Sequence, residues 1–190
     1  MAHIYIALVE TPGIFAAVIK GFIKQKYIHV VISADALLTE AYSVGRRHPA
    51  IPLIAGFERE DKNEILHAFP SARYRICELE CTPEQRRKVL EKLRGDYSRR
   101  FSIHYAVLGL PFIVWNIPFY IRNHFTCASY IAKLLQENGI SVSQKHFSLV
   151  TPKDFYEYKE MQVIFEGKLS ELVPVVPAFR LENISAYEGK

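Results

Sequence analysis

Two segments of this sequence constrain its fold more than any other feature. The run Tyr27–Ser33 is short and largely apolar, as in a buried β-strand, and it carries His29 in its interior. The run Thr126–Asn138 places apolar residues at helical spacing and is followed by Gly139, a pattern typical of an amphipathic helix that ends there. Cys127 lies at the start of that helix. The chain must therefore combine strands with a packed helix, and each of these two elements carries a reactive side chain.

The remaining pattern indicates one domain of the α+β class. Strands and helices follow one another without βαβ regularity, which favours an antiparallel sheet packed against helices, including the helix that begins near Cys127. Further strands are predicted over Ile4–Val9, Leu37–Ser43, Ile51–Ala55, Arg73–Glu80 and Met161–Phe165. Helices are predicted over 11–25, 82–93 with a stop at Gly95, 101–110 and 152–158. The stretch 44–72 is otherwise poorly patterned and contains a predicted helical turn at 62–68. We expect the domain to span 1–167 and residues 168–190 to form an extended tail.

Composition limits the partners and cofactors that we expect. The 190 residues are 49% hydrophobic and 23% charged, which suits a folded domain with a real core. The net charge is +4, but the basic residues are scattered, so we expect no nucleic-acid partner. The three cysteines, Cys77, Cys81 and Cys127, are too few for a disulfide framework and fit a reducing compartment. Cys77 and Cys81 have no second ligand pair at matching spacing, so we expect no metal.

The sequence also carries expectations about location. No basic segment precedes the first apolar run, and Glu10 closes that run early, so we expect no signal peptide. The longest apolar stretch, Tyr105–Ile121, is short for a bilayer span of about 20 residues and is interrupted by Pro111 and Pro118. It favours a buried segment or a surface flap, and an interfacial segment that dips into lipid stays open. We expect a cytoplasmic protein for which a membrane surface is allowed but not required.

The position of Cys127 favours a reactive thiolate. The first turn of a helix has unpaired backbone N–H groups, and together with the helix dipole they stabilise an anion and lower a thiol pKa. The same groups can bind the oxyanion of a tetrahedral intermediate. The alternative is an ordinary core cysteine, because cysteines are often buried.

His29 and Glu40 complete a candidate set for nucleophilic catalysis. Glu40 ends the second apolar run, and the two residues lie nearly symmetrically about Ala34-Asp35, so a hairpin can bring them together. A carboxylate bonded to the imidazole fixes its tautomer and stabilises its charged form. The alternatives are a structural histidine and a solvated charge at a strand end.

Three further residues are candidates for lining a substrate site. They are Tyr27, Tyr105 and His124. The alternatives are core or rim positions for Tyr27 and Tyr105 and an ordinary loop position for His124. No phosphate-binding loop, nucleotide fingerprint or metal motif occurs in the sequence.

Five short pieces of the sequence, in this order, carry a family resemblance. They are His29-Val30-Val31-Ile32 with Glu40, Tyr105-Ala-Val-Leu-Gly-Leu110, Phe125-Thr-Cys-Ala-Ser-Tyr-Ile131, Gly139-Ile140 and Thr151-Pro152. Over roughly residues 3 to 158 the chain resembles the circularly permuted papain-fold hydrolases of the NlpC-like group. That group includes the YiiX/YaeF-like bacterial proteins and, more distantly, lecithin:retinol acyltransferase. Val31 and Ala128 depart from the Gly and Ser that are usual there.

The resemblance implies a cysteine hydrolase, either an amidase or peptidase or an esterase, that needs no cofactor or metal. In this scheme Cys127 forms a thioester acyl-enzyme, His29 transfers the proton and Glu40 orients His29. The implied substrates are peptides, small molecules or lipid-like acyl groups. Two alternatives stay open: an acyltransferase, in which an alcohol or amine resolves the thioester, and a non-catalytic binding module on the same scaffold.

Overall fold

The described part of the chain is built around one eight-stranded sheet. The computed structural model describes residues 1–11, 26–48 and 51–172. The strands are β1 (Ala2–Glu10), β2 (His29–Ser33), β3 (Ala41–His48), β4 (Ile51–Glu60), β5 (Arg73–Cys81), β6 (His104–Tyr105), β7 (His124–Phe125) and β8 (Met161–Lys168). Their spatial order is β7-β6-β4-β3-β2-β1-β5-β8, and neighbours are antiparallel except for β6 and β7, which are parallel.

Helices cover both faces of this sheet. They are α1 (Lys62–Ala68), α2 (Pro83–Ser98), α3 (Leu110–Val114), α4 (Cys127–Glu137), α5 (Pro152–Glu157) and α6 (Leu169–Leu172), with short 3-10 turns at Arg100–Ser102, Val107–Gly109 and Phe147–Leu149. This mixed, mostly antiparallel architecture confirms the predicted α+β class. Among the described residues, no helix combines the length and the apolar character needed to cross a bilayer.

The alternation of side chains along β1 explains the two cores. Ile4, Ile6 and Leu8 point to the larger core, which includes buried residues of α2 and α4. Ala7 and Val9 point to the smaller core, against which α1 and α6 pack. Successive residues of a strand face opposite sides, so a strand buried on both faces has the near-continuous apolar run seen here.

The helix that follows β5 runs further than its sequence signals predict. Thr82 caps α2 through the backbone N–H of Gln85, and the Gln85 side chain accepts from the Thr82 N–H in return. The predicted stop at Gly95 is wrong, because the helix continues to Ser98. Asp96, directly after Gly95, is 2% exposed and accepts a hydrogen bond from the Tyr130 hydroxyl of α4 at 2.8 Å. This contact holds the last turn of α2 against α4.

The turn between β2 and β3 lies further along the chain than predicted. The observed pairs are Ile32 with Tyr42 and Ser33 with Ala41, so β3 begins at Ala41 rather than at Leu37. The Asp35 carboxylate accepts hydrogen bonds from the backbone N–H groups of Leu37, Thr39 and Glu40. An Asp that binds the backbone ahead of it stabilises a turn in competition with a strand.

Two other predicted elements differ from the observed ones. The strand predicted at Ile51–Ala55 is the first half of the ten-residue strand β4. The helix predicted over 101–110 is instead a 3-10 turn, the strand β6 and a second 3-10 turn. The backbone N–H groups of His104 and Ala106 donate to the carbonyls of Asn123 and Phe125, so they are used in pairing with β7 and are not available to a helix.

Regular secondary structure continues beyond residue 167, after which the sequence predicts an extended tail. Lys168 still belongs to β8, and the next four residues form α6. Leu169 is fully buried, and its N–H donates to the carbonyl of Ala72 at 2.9 Å. The rest of the predicted tail, residues 173–190, and the helix predicted over 11–25 lie outside the described residues, apart from residue 11.

Candidate active site

His29 is the first residue of β2 and has a carboxylate at one end of its ring. Its Nε2 lies 2.6 Å from Oε1 of Glu60, the last residue of β4. The side chains of His29 and Glu60 are 23% and 15% exposed, so the pair is largely shielded from water. The hydroxyl of Ser43, on β3, donates to the same carboxylate oxygen. The imidazole is therefore fixed in orientation through a strand that is not adjacent to its own.

Cys127 reaches the other side of the same imidazole. It is the first residue of α4, whose N-cap Thr126 and Ser129 bind each other's backbone N–H groups. The Cys127 sulfur lies close enough to the His29 ring and to the backbone N–H groups of Val30 and Ala128 for each of them to lower the pKa of its thiol. Because Nε2 of His29 is engaged by the carboxylate, Nδ1 is the ring nitrogen left for the sulfur.

The early separation of β2 from β3 makes this contact possible. The described pairing between the two strands covers only Ile32 and Ser33. Ala34 donates its N–H toward β3, to the Glu40 carbonyl. By the two-residue alternation of an antiparallel strand, the Val30 N–H points to the same side. The N-terminus of α4 meets β2 beyond the paired positions, where this N–H faces the Cys127 sulfur and helps to lower the pKa of its thiol.

The electrostatics of the site favour a thiolate–imidazolium ion pair. Burial lowers the pKa of His29, but the charges of Glu60 and Cys127 outweigh burial and raise that pKa from 6.5 to about 10. Burial raises the pKa of the Cys127 thiol, but the neighbouring His29 charge and the hydrogen bonds to the sulfur outweigh it, so the thiol pKa is lowered. An opposite charge in contact favours the charged form of both partners.

The other two cysteines lack this environment. Cys77 and Cys81 are buried on β5, and burial raises the pKa of both thiols. Cys127 is 4% exposed and Cys77 is 3% exposed. Their accessibility is therefore matched, and the difference between them is the imidazole beside Cys127.

The sequence prediction that Glu40 orients His29 is wrong for this geometry. The Glu40 carboxylate accepts hydrogen bonds from Arg94 at 2.7 and 2.9 Å and from Tyr42 at 3.1 Å. The Arg94 guanidinium holds the pKa of Glu40 below its usual range. Because Ser33 pairs with Ala41, the turn is centred near residue 37, and Glu40 lies at the turn end of the hairpin, away from His29.

Sequence reasoning also missed Gly45 of β3. A Cβ at this position would lie 3.0 Å from Cε1 of His29 and 3.4 Å from Oγ of Ser43. The absence of a side chain therefore leaves room for the imidazole. Gly45 and Glu60 both fall in the poorly patterned stretch, and the charged run Glu58-Arg59-Glu60 gives no alternating strand signal.

Tyr105 and His124 do lie beside the candidate nucleophile. Tyr105 on β6 pairs with Phe125 on β7, two residues before Cys127. Burial raises the pKa of Tyr105, and the nearby charge of Cys127 raises it further. Tyr105 and His124 line one cavity of about 230 Å³. Its other walls are Ala106, Val107, Leu108, Gly109, Phe119 and Ile121.

Tyr27, the third residue predicted to line a substrate site, lies elsewhere. It is 1% exposed, and its hydroxyl donates to Glu166 of β8 at 2.8 Å. Tyr27 is therefore a core residue. Its hydrogen bond connects the chain before β2 to the edge strand β8, which β1 and β5 separate from β2.

No family model, curated protein or solved structure matches this chain. Within the described ranges, no three His, Cys, Asp or Glu side chains come together as a metal site. Cys127, His29 and Glu60 therefore define the candidate active site.

Proposed function

We propose that this chain is a cysteine-dependent acyl hydrolase, acting on an amide or ester, on a permuted papain-like scaffold. The observation that carries the proposal is one imidazole that is bonded to the Glu60 carboxylate and lies close enough to the Cys127 thiol for the two groups to shift each other's pKa. Nucleophile, base and orienting group in contact are the geometric mark of this class of catalysis. The order of a histidine strand before a cysteine helix supports the resemblance to the NlpC-like group, with Glu60 in the role expected of Glu40.

The reaction begins from the ion pair. The Cys127 thiolate attacks the substrate carbonyl carbon, and a C–S bond forms as the C=O π electrons move to oxygen. Backbone N–H groups at the start of α4 stabilise that oxyanion. The oxyanion then re-forms the carbonyl and expels the amine or alcohol, which takes the proton of the His29 imidazolium. The product is a thioester acyl-enzyme.

Hydrolysis of the thioester regenerates the enzyme. His29, now neutral, takes a proton from water as the water oxygen attacks the thioester carbonyl. Collapse of the second tetrahedral intermediate breaks the C–S bond and releases the carboxylic acid, which then loses its proton. The Glu60 carboxylate stabilises the imidazolium in both steps and keeps the ring aimed at the sulfur.

The cavity lined by Tyr105, a neighbour of Cys127, favours an apolar acyl group. Apart from Tyr105 and His124, its walls are aliphatic and aromatic side chains or glycine. The low exposure of Cys127 favours acyl transfer as a second candidate. Because this residue is 4% exposed, an alcohol or amine bound in the cavity competes well against water. The two reactions share the thioester and differ only in the acceptor.

Selective alkylation is the first test. At neutral pH we expect iodoacetamide to modify Cys127 at least about tenfold faster than Cys77, because only the thiolate reacts. Equal rates at the two equally buried thiols would reject the enzyme assignment and leave a binding module.

Trapping of the acyl-enzyme is the second test. We expect p-nitrophenyl esters of graded acyl length to add one acyl group to the intact mass of the protein. The Cys127→Ala variant should show no such adduct and His29→Gln a slow one. Adding an alcohol or amine separates the outcomes, since a hydrolase releases the acid and an acyltransferase releases the conjugate.

A further inference from the structure

We propose that residues 107–121, here called the apolar segment, dock on an anionic lipid bilayer and place the mouth of the Tyr105 cavity at the lipid surface. Seven of the thirteen large hydrophobic residues exposed in the described part of the chain lie in this segment. They are Val107, Leu108, Val114, Trp115, Ile117, Tyr120 and Ile121. Leu108 is 70% exposed and Trp115 is 66% exposed. Clustered exposure of this kind marks an interaction surface, whereas scattered apolar residues do not.

Internal contacts give the apolar segment a defined conformation. Its two ends are held together at the parallel pair of β6 and β7. The Phe112 and Phe119 rings stack at 4.3 Å with an interplanar angle of 8°. The Ile117 N–H donates to the Phe112 carbonyl, and Asn116 adopts a positive φ of 54° at the turn. The helix inside it, α3, has five residues, so the projection can enter the interfacial region but cannot span the bilayer.

The basic residues around the apolar segment favour an anionic over a neutral lipid surface. Between Asp96 and Glu137 the sequence contains no Asp or Glu, and its basic residues there are Arg99, Arg100, Arg122 and Lys133. Exposed Arg122 directly follows the apolar segment. A second cavity, of about 210 Å³, shares Tyr120 with the segment and is lined by three cations and two carboxylates, namely Lys92, Arg99, Lys133, Asp96 and Glu137. Apolar residues with a Trp and flanking cations are the composition of interfacial membrane anchors.

The docking surface is continuous with the candidate site. Val107, Leu108 and Ile121 are exposed at the surface and are also walls of the Tyr105 cavity. A bilayer that covers these side chains would meet the cavity opening, so an acyl chain could pass from lipid to the cavity without crossing water. This delivery role rests on the proposed function, but membrane docking itself does not.

The single tryptophan of the chain makes the proposal measurable. Trp115 is the only Trp, so its emission reports on the apolar segment alone. We expect a blue shift and co-sedimentation with vesicles that contain phosphatidylglycerol, both reduced by salt, and much weaker effects with phosphatidylcholine alone. Cys127→Ala should bind vesicles like the wild type, so loss of catalysis and loss of docking are distinguishable.

Two variants with the same substitution provide the comparison. We expect Leu108→Glu to reduce the vesicle-bound fraction at least tenfold. Leu37→Glu changes a residue that is 55% exposed on the turn between β2 and β3, and it should bind like the wild type. The proposal is overturned if neither vesicle captures the protein, if both variants lose binding equally, or if neutral and anionic vesicles bind alike. It is also overturned if light scattering shows a dimer that Leu108→Glu dissociates while vesicle binding is unchanged, since a second copy then occupies the surface.

Discussion

Replacing Glu60 by Gln tests which carboxylate serves His29, and Glu40→Gln is the matched control. Each change replaces a carboxylate by an amide of the same size. Nε2 of His29 lies 2.6 Å from Glu60, whereas Glu40 is bound by Arg94 at 2.7 and 2.9 Å. Only the first substitution therefore removes negative charge from the imidazole.

The expected size of the effect follows from the ion pair. Charges about 4 Å apart interact by about 1 kcal/mol in water and about 4 kcal/mol at an effective dielectric constant of 20. The partners, 23% and 15% exposed, lie between these limits. At about 1.4 kcal/mol per pH unit, Glu60→Gln should lower the pKa of His29 by about 1–3 pH units. The starting value is about 10, and it should move back toward 6.5.

The direction in which the pH profile of ester hydrolysis moves follows from the active form of the site, the thiolate–imidazolium ion pair. The ion pair needs a protonated His29, so the alkaline limb of ester hydrolysis follows the His29 pKa and should move to lower pH in Glu60→Gln. The acid limb follows the thiol pKa and should move to higher pH, because a less stable imidazolium stabilises the thiolate less. The optimum should narrow from both sides, with a loss of about 10²–10⁴-fold in kcat/KM as tautomer control is lost.

The assay combines ester hydrolysis with Cys127 alkylation, both followed over the acid and alkaline range. Glu40→Gln should leave both profiles within about threefold of the wild type, since a surface ion pair contributes little. The reasoning fails if Glu40→Gln shifts the alkaline limb as far as Glu60→Gln does, or if Glu60→Gln leaves both limbs in place.

Three further substitutions test the packing around the site. In Gly45→Ala the new Cβ would meet the His29 ring at 3.0 Å, and we expect alkylation of the nucleophile to slow about tenfold with an unchanged circular dichroism spectrum; an unchanged rate would contradict the contact. Asp96→Asn should lower the free energy of urea unfolding by about 1–3 kcal/mol at neutral pH. Lys92, Arg99 and the Tyr130 hydroxyl outweigh burial and lower the pKa of Asp96 below 3.8, so its contribution is full above pH 3.8 and disappears as the pH falls through the lowered value; a difference that persists in strong acid would refute this. Leu135→Ala, at a fully buried position, should cost about 2–5 kcal/mol by the same measurement, while Ala at exposed Gln136 should change stability by less than about 0.5 kcal/mol.

The sequence identified the parts of the site that depend on local signals. His29 stands out as the polar residue of an apolar strand, and Cys127 as a residue in the first turn of an amphipathic helix. The same kind of signal placed the start of α2 correctly. Caps and periodicity are properties of a few consecutive residues, so they can be read without knowing the fold.

The carboxylate could not be identified in this way because it depends on strand register. Glu60 and His29 are brought together by two successive pairings, β2 with β3 and β3 with β4. The prediction of Glu40 assumed a turn at Ala34-Asp35, but the Asp35 side chain binds the backbone ahead of it and moves the turn along the chain. A displaced turn changes every cross-strand neighbour of the hairpin.

The parallel pairing of His104-Tyr105 with His124-Phe125 limits how this region can diverge. Strands that run in the same direction cannot be joined by a tight turn, and the chain between them must cross back over about a dozen residues or more. A large deletion in that crossover would pull Tyr105 away from the strand that leads into the nucleophile. Homologous sequences should therefore vary in which residues occupy the crossover while conserving its approximate length.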